Sequence, residues 1–258
     1  MRDRLKDKAY WKEAIVEFNE DLLDVQESLE TKLRKADPRA SIAAGSYFRT
    51  LFRNVLADYS VGKPMEEIAA NARKLLCEVL PDYLAKHAPG DPLSISRPGI
   101  AWINRYFSLL VLSNPSLEEA GAFVKTFDLW DYREAPVSGK RDLICEAMID
   151  YLGLGEGREP GTGVNWPEAY QPLWETIAPE TPEEERAARL SSFLEGWYDV
   201  MAPEAAAQTG THKQKDPTYV GYWCLEAAAA AVMRDIHDSS FRDHPHYPAD
   251  FADWVRRS

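Results

Sequence analysis

Cysteine is scarce: Cys77, Cys145 and Cys224 are the only three in 258 residues. They are odd in number, far apart, and each lies in an apolar-periodic stretch. This excludes a disulfide framework and reads as buried free thiols in a reducing compartment. No CxxC pair, HExxH string or serine nucleophile elbow is present, which removes the commonest zinc and acyl-transfer signatures. No run of about 18 apolar residues exists, so no membrane-spanning helix is expected. The opening Met1-Arg2-Asp3-Arg4-Leu5-Lys6-Asp7 is mixed in charge and has no apolar signal-peptide core, so a cytoplasmic location is expected. The glycine pairs Gly155-Glu156-Gly157 and Gly161-Thr162-Gly163 carry neither a Walker lysine nor a preceding strand, and read as a flexible loop. Strand-like alternation is hard to find anywhere.

What is present is apolar content of 45%, enough to fold, and a formal net charge of -12. The placement of the charge says more than its size. Residues 1–125 hold 18 basic and 18 acidic groups, whereas residues 126–258 hold 12 and 24. Within the second half, residues 126–204 alone carry 6 basic and 17 acidic groups. Such a surface repels DNA, RNA and anionic lipid and attracts a basic partner.

The periodicity is helical throughout. Trp11, Ile15, Phe18, Leu22, Val25 and Leu29 are spaced by alternating steps of four and three, the seam of a long amphipathic helix that ends at Asp37-Pro38. Such a seam suits a docked helix and also permits a coiled-coil dimer, so monomer and homodimer both stay open. A second helix is read over residues 41–59. Pro64 is expected in the first turn of a third, running through Ile68, Leu75, Leu76 and Val79. An apolar helix spans residues 100–112, and Ser116 with Glu119 has the spacing of a capping box. Further helices are expected over 140–152, after Thr181-Pro182-Glu183-Glu184, and from Asp216-Pro217 through Trp223 into the alanine run Ala227–Ala231. The fold class is all-α: a compact multi-helix bundle in two helical halves, 1–125 and 126–258, opened by the long N-terminal helix.

Few constellations carry chemistry. His237-Asp238 resembles the doublet of metal-dependent helical phosphohydrolases, with His212 or His87 upstream and Asp250 or Asp253 downstream as further ligands. The doublet sits in a loop near the end of the chain, which weakens that reading. His244-Pro245-His246 has the form of a metal clip without a nearby thiolate, and reads as a surface turn. Glu226, three residues after Trp223, falls among small and aromatic residues. A carboxylate there must find donors, for which Lys213, His212 and tyrosine hydroxyls are available. No catalytic residue, metal or cofactor is assigned.

A longer pattern stands out. It runs Glu195-Gly196-Trp197-Tyr198, His212-Lys213, Tyr219-Val220-Gly221-Tyr222-Trp223-Cys224-Leu225-Glu226-Ala227, Asp238-Ser239-Ser240 and Tyr247-Pro248-Ala249-Asp250. It resembles the C-terminal domain of PoNi-type bacterial immunity proteins, and the opening Arg2–Asp7 with its long helix resembles their N-terminal domain. The resemblance implies a cytoplasmic bacterial antidote that binds and neutralises an antibacterial DNase, delivered by type VI secretion or a related contact-dependent route. Its motif residues are mostly aromatic and small, and are expected to determine the fold. The toxin-binding face is expected instead on the acidic stretch: Asp128, Asp131 and Glu134 with Trp130 and Tyr132, Glu156 and Glu159, and Glu195 with Asp199. A metal-dependent hydrolase, or a scaffold or chaperone for another basic protein, is the alternative.

Overall fold

The computed structural model describes residues 1–82, 100–128, 141–201, 210–214 and 216–257, the side chains of Ser41, Ile100 and Met201 aside. Among them every regular element is helical, and the one extended pairing is an isolated parallel bridge between Asp142 and Gly163. The protein is all-α. None of the described helices is long and apolar enough to cross a membrane. The chain divides into two compact units. The first comprises Met1–Pro98, Ala122–Trp130 and Ala207–Gly221; the second comprises Gly99–Gly121, Asp131–Ala206 and Tyr222–Ser258.

In the first unit, α1 (Lys8–Arg34) begins where the Asp7 carboxylate accepts from the Tyr10 amide at 2.9 Å, satisfying one of the donors that a helix start leaves open. Its seam docks along α2 (Ala40–Val61). Trp11, Ala14, Phe18 and Leu29 are buried from α1, and Phe48, Phe52, Val55, Leu56 and Tyr59 from α2. Each large side chain among them is worth about 1.5–3 kcal/mol relative to exposure. Arg53 lies over the Phe18 ring and pairs with Asp21 at 2.7 Å, so the edge of the seam is held by a cation as well. α3 (Met65–Arg73) follows Pro64, which sits one position earlier than expected, at the N-cap. The helix then widens into a π-helical stretch over Lys74–Val79 that keeps Leu75, Leu76 and Cys77 buried.

Two distant pieces of sequence meet in this unit. The amides of Arg2 and Asp3 donate to the Ser60 carbonyl at 2.9 and 3.1 Å. The Arg2 guanidinium stacks on Tyr59 and donates to the carbonyls of Tyr59 and Lys63. The buried Asp3 carboxylate accepts from the Leu5 and Lys6 amides, and from the Tyr219 hydroxyl 216 residues away. Tyr10 completes the join: its hydroxyl donates to the Tyr219 carbonyl at 2.8 Å and accepts from the Tyr219 amide at 3.0 Å. Ser60 donates to the Val220 carbonyl at 2.7 Å.

These bonds overturn the expectation of a helix from Asp216. The observed helix begins only at Leu225. Gly221 has φ of +97°, a left-handed conformation closed to a helix and strained for any residue with a Cβ. The amides and carbonyls around it are bonded to side chains from elsewhere, so the segment is buried without helical bonding.

The second unit is built on α4 (Ile100–Leu112), which buries Ile103, Tyr106, Phe107, Leu109, Leu110, Val111 and Leu112, and so has no solvent face over its second half. α5 (Leu117–Asp128) gives this unit its start; the Ser116 amide donates to Glu119 at 2.7 Å and the Glu119 amide to the Ser116 hydroxyl at 3.2 Å, the reciprocal capping box that the spacing predicts. α6 spans Leu143–Tyr151, three residues shorter at its start than expected, because Asp142 caps it. α7 (Pro167–Ile177) packs on α8 (Glu183–Met201), and the Thr181 hydroxyl between them donates to the Glu175 carbonyl. α9 (Leu225–Met233) lays the wholly buried Ala227–Ala231 against α4; side chains this small permit a short interaxial distance. α10 (Ala249–Arg257) closes the unit with Phe251 and Ala252 inward.

The glycine loop, read as flexible, is tied down. The Asp142 carboxylate accepts from the Ile144 and Cys145 amides and, at 2.7 Å, from the Asn165 amide beyond the loop. Arg158 forms a two-pronged bond to Glu146 at 2.9 and 3.1 Å, with both side chains largely buried. A Cβ on Gly161 would lie 2.7 Å from the Leu143 Cα, so the loop backbone lies directly on α6.

Replacing Tyr10 by Phe removes the partner of both backbone groups of Tyr219. The expected loss is about 1–3 kcal/mol of unfolding free energy, read by urea denaturation. An unchanged midpoint would show that the join contributes nothing to stability.

Candidate functional site

Three clusters gather the residues singled out from the C-terminal sequence. The first is the buried polar centre around Glu226. It lies in the first turn of α9, where a helix terminus favours negative charge, and it is fully buried. The Tyr170 hydroxyl of α7 donates to its Oε1 at 3.2 Å, while its Oε2 is buried without a hydrogen bond. Burial pushes the carboxyl pKa up, and the charge of the buried Arg105 on α4 opposes that shift. Burial also pushes the Tyr170 phenol and the Cys224 thiol well above their ordinary values, with the Glu226 charge adding to each. Of the donors expected for Glu226, a tyrosine hydroxyl is the one found. Lys213 is exposed, and the cation that acts on Glu226 is Arg105, which no local pattern marks.

The second cluster is a knot around Asp238. Its Oδ2 accepts from Arg242, Arg256 and the Tyr247 hydroxyl, each at 3.1 Å. Arg242 also holds Asp253 with both prongs. That pairing lowers the Asp253 pKa and raises that of Arg242, while burial beside Asp238 raises the Tyr247 phenol. His237 is exposed, and its Nδ1 lies 3.0 Å from the Ser239 hydroxyl. The carboxylates of the expected metal doublet are thus engaged by guanidinium groups. Among the described residues no group of three or more His, Cys, Asp or Glu side chains is placed to hold a metal. Asp250 is half-buried in the first turn of α10, behind the buried Pro248; His212 stacks edge-on to Tyr219 in the first unit, and His87 lies outside the described residues.

The third cluster reaches solvent. His246 stacks on Tyr198 with ring centroids 5.4 Å apart, touches Trp197 and Tyr222, and has its Nδ1 2.9 Å from the Tyr222 carbonyl. His244 packs against His246 from the side and faces Glu195 at 3.9 Å. Burial lowers both imidazole pKa values, opposed at His244 by Glu195 and, at His246, by the bond to the Tyr222 carbonyl and the charge of Asp199. The His-Pro-His turn is therefore an aromatic corner of the second unit, with the exposed Glu195 and Asp199 of α8 above it.

The expected toxin-facing acids are distributed as follows. Glu156, Glu159, Glu195 and Asp199 are exposed in the second unit; Asp128 is exposed at the end of α5 in the first. Trp130, Asp131, Tyr132 and Glu134 lie outside the described residues. Trp197, Tyr219, Gly221, Tyr222, Trp223, Glu226, Asp238, Tyr247 and Pro248 are buried, in the packing and hydrogen-bonding positions just described.

Residues 140–251 match the family described as PoNe immunity proteins (PoNi), C-terminal. That stretch contains all three clusters apart from Arg105, Asp253 and Arg256, and over it the chain is similar to PoNi-type immunity proteins. No curated protein and no solved structure matches it.

Two outcomes follow from these clusters. Asp238→Asn is expected to cost about 2 kcal/mol, a charge-assisted hydrogen-bond centre being lost, and to cost the same with and without a chelator. A chelator-dependent loss would instead mark a metal site. A folded-state imidazole pKa below the ordinary value of 6.5 means that the unfolded chain takes up protons first. Stability should therefore fall as pH drops from about 6.5 toward the lower folded value, and the fall should be smaller in His246→Gln. Urea midpoints at pH 7.5 and 5.5 compare the two.

Proposed function

We propose that this PoNi-type chain is an immunity protein that binds a nuclease toxin, the PoNe of its family's description, and neutralises it inside the producing cell. The observation that carries the reading is the match over residues 140–251. Beside it stands the division of labour among the acids of the second unit. Asp142, Glu146, Glu226, Asp238 and Asp253 have internal partners, whereas Glu156, Glu159, Glu195 and Asp199 are turned to solvent.

A DNase must present basic groups to phosphates, and exposed carboxylates compete for the same groups. The exposed acids of the stretch 126–204 are therefore the toxin-facing ones, with Glu195 and Asp199 resting on a support that favours binding. Trp197, Tyr198, Tyr222 and His246 hold that turn of α8 in place, so little side-chain and backbone freedom is lost when a partner docks. Asp128, Asp131 and Glu134, with Trp130 and Tyr132 as aromatic contacts, are further toxin-binding residues in this reading. The antidote acts in the bacterial cytoplasm, against a toxin delivered by type VI secretion or a related contact-dependent route.

Co-expression with the cognate nuclease tests the whole reading. Survival of the cells and recovery of a one-to-one complex are expected; continued killing with no complex would refute it. The acidic face has its own test. Glu195→Lys combined with Asp199→Lys should slow association by about tenfold or more at low salt, and the difference should shrink as salt rises. Equal rates for the double variant and the unaltered chain would remove these acids from the interface.

A further inference from the structure

The second unit contains an open cavity of about 430 Å³ between α6, the glycine loop, the end of α7 and the end of α9. Arg234, the residue that follows α9, lines it. This guanidinium makes no hydrogen bond and no ion pair among the described residues, and its Nε is shut off from solvent without an acceptor. The charges around it leave it so. Glu146 on the cavity wall is held by Arg158 and Arg141. The Asp150 carboxylate is turned onto the glycine loop, so close that a Cβ on Gly155 would fall within 3.1 Å of its carboxyl carbon. Arg186 adds like charge from nearby, while Asp150 and Glu180 attract from beyond pairing distance.

An unpaired, half-buried arginine is costly in a free protein, and the cost is recovered when an acceptor arrives. The planar guanidinium matches a carboxylate in two-pronged geometry. Besides Glu146, which Arg158 holds, the acids Asp150 and Glu159 line the same cavity, so a doubly charged phosphate would be repelled more strongly than a singly charged carboxylate. Leu143, Tyr151 and Trp174 supply apolar walls for the stem that carries it.

We propose that this cavity is a carboxylate pocket, in which Arg234 takes an acidic side chain or chain terminus of the protein partner. The inference rests on the immunity reading, because Glu159 belongs both to the cavity lining and to the exposed acids assigned to the toxin-facing surface. An unpaired guanidinium set in an acidic face selects among basic partners: one that presents a carboxylate at that point pairs with it, and one that presents a base or an apolar group leaves it unpaired.

The test measures affinity of the full chain for a catalytically inactive cognate nuclease, by calorimetry, for the unaltered protein, Arg234→Gln and Arg234→Lys. The glutamine variant should bind about tenfold or more weakly, and the lysine variant should fall between, since it keeps the charge and loses the fork. The thermal midpoint of free Arg234→Gln should be unchanged or raised, because no internal partner is lost. A lowered midpoint would make Arg234 a structural residue and overturn the proposal. So would unaltered affinity in the glutamine variant; if Glu195→Lys with Asp199→Lys still weakened the same complex, the immunity reading would stand without the pocket. If the unaltered chain formed no complex at all, the immunity reading would fail first. Acetate titration would then judge the pocket: an acetate response in both the unaltered chain and Arg234→Gln, or in neither, overturns it. An acetate response confined to the unaltered chain supports a carboxylate site and overturns only its protein source.

Discussion

The constraint on which much of this structure depends is that buried backbone without helical hydrogen bonds must find its partners elsewhere. Residues Tyr219 to Cys224 are that backbone. One phenolic oxygen, that of Tyr10, serves both the amide and the carbonyl of Tyr219, and Ser60 serves the next carbonyl. In the second unit the Cys224 amide reaches the His246 carbonyl, and the His246 ring lies against the Tyr222 carbonyl. Side chains thus serve the amide and carbonyl of Tyr219 and the carbonyls of Val220 and Tyr222. The side chains that serve it come from distant positions, Tyr10, Ser60 and His246, while its own Tyr219 hydroxyl donates to Asp3.

The same economy governs the acids. The excess of negative charge in the second half of the chain overstates what a partner can meet. Asp142 binds three amides, Glu146 holds the arginine that closes the glycine loop, Asp238 gathers two guanidinium groups and a phenol, and Asp253 locks one of the same arginines. These carboxylates replace capping and loop-closing contacts that the apolar core cannot make, and they are occupied. Among the exposed ones, Glu195 and Asp199 sit on the turn of α8 above His246, and Glu156 and Glu159 on the tied loop after α6. A face built that way presents charge at fixed positions, which favours discrimination between related partners over general attraction.

The second unit also shows how an all-helical core tolerates ionisable groups. Glu226 is fully enclosed, yet it has the start of α9, the Tyr170 hydroxyl and the charge of Arg105 in its favour. Cys145 sits in the same way against Asn104 of α4 at 3.3 Å. Such polar contacts between α4 and its neighbours specify which helix faces meet, a task that the alanine surface of α9 cannot perform by shape alone.

What the sequence determined by itself was whatever depends on near neighbours along the chain. The steps of four and three in α1, the capping box of Ser116 and Glu119, the apolar helix of Ile100–Leu112 and the helix after Thr181-Pro182 were all legible, because a helix brings residues three and four apart onto one face. The resemblance carried by the C-terminal motif was legible too, and the match over residues 140–251 agrees with it. Tertiary structure decided the rest. Only the fold placed Asp3 on Tyr219, Arg105 by Glu226 and Arg256 on Asp238, and the bonds from Asp3, Tyr10 and Ser60 hold Tyr219 and Val220 as buried backbone where a helix is expected. Each of these partners lies too far along the chain for helical periodicity to pair it with its mate. Local propensity, worth tenths of a kcal/mol per residue, gives way where several buried hydrogen bonds of about 1 kcal/mol each demand another conformation.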